Sequence, residues 1–292
     1  MQIQVLIQSL INGLLLGGLY AMVGLGMSLI FGIMSMTNIA HGDFMILGTF
    51  FCMVIVQQFV GNIFAALLIT VVIMAVLGFL IQNYVINRVI DKGSEPALLV
   101  TFGLSILIQN ILFQIFGADP RTISAPGLRS NIVNTQWFSI SGSYALNFAV
   151  AVVVVFAVYL IIKKTSFGRA IRATSDNVAA AELMGVNTKR IYAYTMSLTV
   201  VTASIAGLLI GQTYAFYTYT GTQWLIIAFG VVVIGGMGSI MGTLLGGIVL
   251  GLAQLISSAV FGTAYQLLSG YAVMLIILAL RPRGLLGNMA RK

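Results

Sequence analysis

Long apolar stretches alternate with short polar segments along almost the whole chain. A hydrocarbon core about 30 Å thick is crossed by roughly 20 apolar residues in helical conformation. On that measure the pattern predicts about nine spans, or eight if 224–237 enters the membrane and returns. The predicted spans are 5–33, 40–60, 62–86, 96–117, 144–162, 190–212, 224–237, 240–261 and 264–280. We therefore expect an all-α polytopic membrane protein with about eight to nine transmembrane helices, some broken or short, forming one domain over residues 1–292.

The longest polar interruption is 163–190, KKTSFGRAIRATSDNVAAAELMGVNTKR. It carries nearly half of the 14 lysines and arginines of the chain. Loops rich in these residues close to membrane spans stay in the cytoplasm. The pattern therefore predicts that 163–190 is a cytoplasmic loop.

This loop also has the sequence of a folded segment. Ser175 is suited to cap a helix over about 176–184, Gly185 to take the left-handed position after it, and Asn187 to cap the next helix. A helix this short is not stable in water without support. Two interpretations stay open from these residues: a helix lying on the anionic lipid surface, or a helix docked into a groove of a soluble partner.

Composition excludes a soluble globular domain, because 60% of the residues are hydrophobic and 7% are charged, against about 25% charged in soluble proteins. The net charge of +8 does not indicate nucleic-acid binding, since the basic residues flank membrane spans. The first span is preceded by no lysine or arginine, so we expect no cleaved signal peptide and an external N-terminus. A cytoplasmic C-terminus is predicted from Arg281, Arg283, Arg291 and Lys292.

The chain lacks the motifs of several enzyme classes. It contains no G-x-x-x-x-G-K-[ST] phosphate loop and no H-E-x-x-H motif, and one histidine with one cysteine cannot form an ordinary zinc site. We expect no catalytic residue, no cofactor and no metal, and Cys52 is expected to pack in the core. Asp43 is the one acid predicted within or near a span, whereas ion-coupled transporters usually carry intramembrane carboxylates. Transport energy is therefore expected from another subunit, unless the pore is passive.

A dense polar patch, Thr37-Asn38-Ile39-Ala40-His41-Gly42-Asp43, separates the first two spans. It is either a solvated turn capped by Thr37 or Asn38, or a hinge or gate where the first span breaks beside a cavity. We expect His41 to be a hydrogen-bonded structural residue rather than a proton relay. In the fourth span, Gln109, Asn110 and Gln114 form a predicted polar stripe that faces protein, because unpaired amides in hydrocarbon cost several kcal/mol.

Glycines mark the late part of the chain. The spacing Gly238-x-x-x-Gly242-x-x-x-Gly246 indicates a helix face that allows close packing in lipid. A second interpretation is that Gly235, Gly236 and Gly238 break a helix at a cavity, as in the discontinuous helices of transporters.

Three stretches together resemble one family. Residues 17–50 (GGLYAMVGLGMSLIFGIMSMTNIAHGDFMILGTF), 168–191 (GRAIRATSDNVAAAELMGVNTKRI) and 230–251 (GVVVIGGMGSIMGTLLGGIVLG) are similar to the LivH-type permease subunit of branched-chain amino acid ABC importers. The resemblance implies an ABC importer transmembrane domain of the vitamin-importer type. It implies a homologous second permease, with a heterodimer expected, two cytoplasmic ATPase subunits and an external solute-binding protein.

The same resemblance implies a role for particular residues. Coupling to the ATPases would fall on Arg172, Asp176, Ala180, Glu182 and Gly185. The candidates for a gate or translocation path come from the polar and glycine patterns described above and not from the resemblance: Asn38, His41, Gly42, Asp43, Gln109, Asn110, Gly235, Gly236 and Gly238.

The function that follows is import of leucine, isoleucine and valine across the bacterial inner membrane. ATP hydrolysis would occur on partner subunits, membrane lipid would surround the chain, and no nucleic acid is involved. Two alternatives are kept: a urea or short-amide permease of the same family, and a passive channel or secondary carrier that uses His41 and Asp43.

Overall fold

In the computed structural model, residues 2–60, 62–123, 131–135 and 137–287 are described, and they are almost entirely helical. In these described residues the predicted spans correspond to nine helices, and the basic loop contains two shorter ones. From the N-terminus the helices are α1 (Gln2–Met34), α2 (His41–Ile55), α3 (Ile63–Tyr84), α4 (Ser94–Phe116), α5 (Gly142–Lys164), α6 (Ser166–Asp176), α7 (Val178–Leu183), α8 (Thr188–Thr213), α9 (Gly221–Gly235), α10 (Ile240–Phe261) and α11 (Gln266–Leu280). The predicted fold class is confirmed.

Two helices are short: α9 agrees with the short predicted span 224–237, whereas 40–60 is predicted as a full span and its α-helix, α2, ends at Ile55. Seven helices of the described chain are long and apolar enough to cross a membrane. One of these seven spans consists of α11 and the 3-10 turn that precedes it. α2 and α9 have 15 residues each, and a π-helical turn, Val56–Val60, extends α2.

α1 and α8 form the centre of the bundle, and most of their residues are buried. α1 packs tightly against α10 through glycines: a β-carbon at Gly17 would overlap the backbone of Ile248, and one at Gly247 would overlap the carbonyl oxygen of Gly17. Without a hydrophobic driving force between helices in lipid, such close backbone contact is a main source of association. Cys52 is fully buried in this fold, as predicted.

α2 begins deep inside the bundle rather than at a membrane surface. After α1, Ser35 takes a positive φ of 51° and turns the chain back. The ring Nε2 of His41 then donates to the carbonyl oxygen of Val23 at 2.9 Å. Because Val23 lies well before Met34 at the end of α1, a rise of about 1.5 Å per residue places the start of α2 about 16 Å inside that end.

α9 begins at the same depth and runs in the opposite direction. Its first residue, Gly221, adjoins Gly42 and Asp43, while its far end is followed by Gly238, which contacts Gly32 near the end of α1. α2 instead runs alongside the second half of α8, where Thr49 contacts Gly211. The N-termini of two short helices therefore meet midway through the bundle.

The two ends of the bundle carry different structures. At one end a two-stranded antiparallel hairpin, β1 (Asn131–Asn134) and β2 (Ser139–Ser141), lies beside the start of α1, where Gln8 exchanges two hydrogen bonds of 2.8 Å with the backbone of Ser139.

At the other end lie α6, α7 and two 3-10 turns, Ile86–Arg88 and Ile90–Lys92. Lys189 forms an ion pair of 2.8 Å with Asp91 there. The segment after α11 returns to this end, where the amide of Leu286 donates to the carbonyl of Gly235. The loops 87–95 and 163–190 and the described end of the chain thus share one side; Arg291 and Lys292 lie outside the described residues.

Candidate functional site

A polar cluster with a buried aspartate and a buried serine lies where the two short helices meet, and it extends to the half-buried Gln109 and the exposed Thr222. We call Asp43, Ser105, Gln109 and Thr222 the midmembrane cluster. The Asp43 side chain belongs to a residue that is only 2% exposed, and its Oδ2 accepts a hydrogen bond of 2.5 Å from the Ser105 hydroxyl. Gln109 Nε2 donates to Asp43 Oδ1 at 3.0 Å and reaches Thr222 Oγ1 at 3.4 Å. The cluster therefore joins α2, α4 and α9 through polar contacts.

The positive ends of helices surround the Asp43 carboxylate. Asp43 lies in the first turn of α2 and adjoins Gly221, the first residue of α9. Among the described residues the ion pair present is Lys189–Asp91, so no lysine or arginine there pairs with Asp43. A helix N-terminus carries a partial positive charge of about half a unit and stabilises a nearby anion. Two helix N-termini and two hydrogen-bond donors therefore lie next to the Asp43 carboxyl group.

Gly42 allows the two helix ends to come together. A β-carbon at Gly42 would overlap the carbonyl oxygen of Gly221, and one at Gly221 would overlap Asp43 Oδ1. Neither glycine needs a positive φ, so their role is close approach of backbones. The meeting point of α2 and α9 therefore depends on the absence of side chains at both positions.

The polar patch is not a solvated turn, and that interpretation is wrong. Asn38 and His41 are almost completely buried, because the chain turns back into the protein at Ser35. Asn38 Oδ1 accepts from the amide of Ala40 at 3.0 Å, one residue before α2, so it shapes the turn and does not cap the helix itself. The break between two spans that the second interpretation requires is present, and His41 is hydrogen-bonded as expected.

α4 turns a different polar face inward from the one predicted. Thr101, Ser105 and Gln109 are spaced by four residues and face α2, with the Thr101 hydroxyl accepting from the amide of Ile39 at 3.2 Å. Asn110 and Gln114 are exposed on this chain, and Asn110 donates to the carbonyl of Ile106 in its own helix at 2.8 Å. The prediction that all three amides are buried is therefore wrong for the single chain.

The sequence interpretation missed Ser105 and Thr222. Ser105 precedes Gln109 by four residues, which is about one helical turn. A search for polar residues on the same helix face as Gln109 would therefore have found Ser105. Thr222 lies at the start of α9, which begins three residues before the predicted span. Its approach to Gln109 depends on the meeting of α2 and α9, for which the local sequence carries no signal.

Gly235, Gly236 and Gly238 lie away from the midmembrane cluster, at the junction of α9 and α10. Gly236 and Gly238 have φ angles of 106° and 80°, values that favour glycine, so the helix does break here. The packing interpretation holds for Gly242 and Gly246, where a β-carbon would overlap backbone atoms of α9. It is wrong for Gly238, which lies in the turn before α10 and not on that helix face.

The basic loop folds into two helices that meet at Asn177, and we call α6 and α7 together the α6–α7 elbow. Asn177 caps α7 by accepting from the amide of Ala180 at 3.0 Å. The prediction that Ser175 caps this helix is wrong, since Ser175 and Asp176 close α6 and the Ser175 hydroxyl donates to the carbonyl of Gly32 at 2.7 Å. The cap of α6 is Thr165, whose hydroxyl oxygen accepts from the amide of Gly168.

The other local predictions for the elbow agree with the structure. Gly185 has a φ of 82° directly after α7. Asn187 caps α8 by accepting from the amide of Arg190 at 3.0 Å.

Several hydrogen bonds fix the elbow to the membrane helices. Arg172 donates to the carbonyl of Ile162 in α5, and Ser175 donates to α1. Thr188, the first residue of α8, donates to Glu182 Oε1 at 2.5 Å. The elbow is thus bonded through α6 to α5 and α1, and through α7 to α8.

The tip of the elbow presents an apolar surface. Leu183 is 90% exposed and Met184 is 84% exposed, although both side chains are large and hydrophobic. The five residues expected to couple to the ATPases, Arg172, Asp176, Ala180, Glu182 and Gly185, are exposed as well. An exposed apolar tip among polar residues is typical of a protein-binding or membrane-binding surface.

Comparison with known proteins gives consistent matches along the whole chain. A family described as "Branched-chain amino acid transport system / permease component" matches residues 9–278. The chain is 31% identical to the high-affinity branched-chain amino acid transport system permease protein LivH of Escherichia coli (strain K12), over 97% of this chain and 96% of that protein. It is 29% identical to the corresponding protein BraD of Pseudomonas aeruginosa, over 97% and 96%. Among solved structures, PsaBC from Streptococcus pneumoniae in complex with Fab aligns over 96% of this chain and 91% of that chain, with a TM-score of 0.46 and 15% identity.

Proposed function

Because the chain belongs to the family of branched-chain amino acid transport system permease components, we propose that it is the subunit of an ATP-binding-cassette importer through which leucine, isoleucine and valine cross the membrane. The substrate follows from the relatives that match almost the full chain, which are permeases of high-affinity branched-chain amino acid transport systems. An external binding protein delivers the amino acid, and ATPase subunits supply the energy.

The observation that carries the coupling part of this proposal is the exposed tip of the α6–α7 elbow. A short helix with an apolar end, bonded through its flanks to α1, α5 and α8, suits docking into a groove of a soluble subunit. Movement of that subunit would reach the bundle through Glu182–Thr188 and Ser175–Gly32. The proposed coupling residues are Arg172, Asp176, Ala180, Glu182 and Gly185.

The proposed orientation has the N-terminus outside and the C-terminus in the cytoplasm of a bacterial inner membrane. The elbow, the 3-10 turns near Lys92 and the segment around Arg283 lie at one end of the bundle. Their clustered lysines and arginines favour the cytoplasmic side. The hairpin β1–β2 and the start of α1 lie at the opposite end, which would face the binding protein.

The proposed gate is the region where α2 and α9 meet. Discontinuous helices whose ends converge midway through a bundle are a common way to build solute sites in transporters. The proposed path residues are Asn38, His41, Gly42, Asp43, Gln109 and Asn110, together with the hinge glycines Gly235, Gly236 and Gly238. A homologous second permease subunit would complete the path in a heterodimer.

The decisive experiment uses the complete complex in proteoliposomes, with the second permease, the ATPases and the binding protein. We expect Leu183→Ser together with Met184→Ser to abolish stimulation of ATP hydrolysis by leucine-loaded binding protein, because truncating a central apolar contact weakens a protein interface by about 1–2 kcal/mol or more. Leu280→Ser, at another exposed leucine, is the control and should retain coupling. Normal coupled uptake in the double variant would overturn the proposed docking role.

A further inference from the structure

A groove runs along α8 at the elbow end of the bundle. We call it the α8 groove, and it is lined by Phe167 of α6 and by Tyr194, Ser197, Leu198 and Val201 of α8. Its volume is about 440 Å³, within the range of about 300–1,000 Å³ of small-ligand sites. The groove shares no residue with the midmembrane cluster or with the exposed tip of α7, so neither the proposed gate nor the proposed docking uses it.

The lining of the groove suits hydrocarbon better than a polar solute. The Ser197 hydroxyl already donates to the carbonyl of Ala75 in α3 at 2.9 Å. The Tyr194 ring contacts the rings of Phe79 and Phe167, with centroid distances of 5.3 Å and 6.1 Å. A polar ligand that leaves water needs new hydrogen-bond partners, and this lining offers few, whereas a hydrocarbon chain needs none.

The depth of the groove matches the acyl region of one leaflet. α8 begins with Thr188 at the elbow end, and a rise of about 1.5 Å per residue places Tyr194 about 9 Å and Val201 about 20 Å along it. The hydrocarbon core is about 30 Å thick, so each leaflet contributes about 15 Å. Tyrosine is typical of the membrane–water interface. The groove therefore extends from the interface into the acyl chains of the leaflet on the elbow side.

Basic residues lie at the headgroup level of the same groove. Arg190 precedes Tyr194 by four residues and so lies one turn nearer the elbow end on the same face of α8. Lys164 precedes Phe167 by three residues, which is at most about 11 Å of chain. Both basic residues are exposed, and neither forms an ion pair with any described residue. Basic pockets between membrane helices on the cytoplasmic side bind anionic lipid headgroups.

We propose that the α8 groove binds one acyl chain of an anionic phospholipid, whose phosphate group lies at Arg190 and Lys164. A phospholipid matches both parts of the site, because it is apolar at chain depth and anionic at headgroup depth. A free phosphate ion would leave the apolar lining uncovered.

The bound lipid would contact the elbow and the central helix α8 together, since Phe167 belongs to α6 and the other lining residues belong to α8. It would therefore stabilise α6 against the bundle. Of the two interpretations of the basic loop, contact with anionic lipid then applies to α6, and docking to a soluble subunit applies to the tip of α7.

Lipid titration of the purified chain, measured by native mass spectrometry, tests the charged part of the site. Phosphatidylglycerol should bind in preference to phosphatidylcholine with the same acyl chains. Arg190→Gln and Lys164→Gln should each reduce this preference about fivefold, because a basic residue near the membrane surface contributes about 1 kcal/mol. Arg281→Gln, at an exposed arginine after α11, is the control. Equal binding of both lipids by the wild-type chain, or an equal loss in the control, would overturn the proposal.

A second variant tests the apolar part of the site. Val201→Trp fills the groove and should reduce the binding of both lipids, whereas Leu275→Trp, at a 61% exposed residue of α11, should not. Equal lipid binding by these two variants at equal membrane levels would contradict the proposed site.

Photo-crosslinking of the complete complex in native membranes distinguishes lipid from protein. Benzoylphenylalanine at Leu198 should give a lipid product, and a crosslink to a protein subunit would overturn the choice of occupant. Lipid binding does not depend on which solute is transported, so leucine uptake by the wild-type complex decides the proposed function separately.

Discussion

The Ser105 hydroxyl donates a hydrogen bond of 2.5 Å to the Asp43 carboxylate and so joins the inward face of α4 to the first turn of α2. Asp43 is almost fully buried, and Gln109 bonds its other oxygen. Loss of this carboxylate would leave two donors of α4 without their acceptor. The contact between α4 and the centre of the bundle therefore depends strongly on Asp43.

We expect Asp43→Ala to lower the stability of the purified chain by about 1.5–3 kcal/mol, the contribution of hydrogen bonds to a charged group. Ser105→Ala removes one donor and leaves the carboxylate bonded to Gln109, so its cost should be smaller, about 1 kcal/mol. Thermal unfolding in detergent measures both. An Asp43→Ala variant as stable as the Ser105→Ala variant would contradict the role assigned to the carboxylate.

Gly42→Ala should prevent the close meeting of α2 and α9, because the added methyl group overlaps the Gly221 carbonyl oxygen. Overpacking of this kind costs about 1–3 kcal/mol. Gly230→Ala is the matched control: it also adds a methyl group to a helical glycine, but its nearest neighbour, the Met274 sulfur, lies at 3.4 Å. Unfolding temperatures of the two variants in one detergent give the comparison, and equal values would rule out tight packing at Gly42.

The conformation of Gly185 gives a prediction that depends on side-chain type. Its φ of 82° is tolerated by asparagine but unfavourable for a β-branched residue. Gly185→Val should cost about 1–2 kcal/mol locally and reduce leucine uptake at normal membrane levels of the complex, whereas Gly185→Asn should retain uptake. Equal uptake by both variants would show that the turn after α7 does not need this conformation.

The hydrogen bond from the Ser175 hydroxyl to the Gly32 carbonyl connects the elbow to α1. Removing it should show whether the elbow acts on α1 through this contact. Ser175→Ala removes a hydrogen bond contributing about 1 kcal/mol while the exposed tip of α7 is unchanged. In the reconstituted complex, ATP hydrolysis should continue and leucine transported per ATP should fall. Ser166→Ala, at the exposed first residue of α6, is the control; the same ratio in both variants would argue against transmission through this bond.

The apolar pattern was sufficient to predict the membrane helices, because span length is imposed by the bilayer and needs no knowledge of neighbours. The local conformations at Gly185 and Asn187 were also predictable, since capping depends on a few adjacent residues. Ser175 illustrates the limit: it has the right chemistry for a cap, but Thr165 begins a helix upstream, and Ser175 then lies at its end, within reach of Gly32.

The midmembrane cluster was predictable only in part. Asp43 and Gln109 stood out as polar residues in apolar surroundings, but their contact depends on a chain reversal at Ser35 that brings α2 to the level of Val23. Asn110 follows Gln109 by one position but is exposed on this chain, because one residue turns a helix by about 100° and so moves the side chain away from the buried face. Which side of α4 meets protein within this chain could not be read from composition.

The central claim is that this chain is a conduit driven from the elbow end by ATPase subunits. Accumulation of radiolabelled leucine inside proteoliposomes, with ATP supplied on the side of the elbow, tests it most directly. The complete complex should accumulate leucine above the external concentration only when ATP and the binding protein are present, and the chain alone should pass none. Leucine flux through the purified chain alone, without ATP or an ATPase partner, would contradict the account.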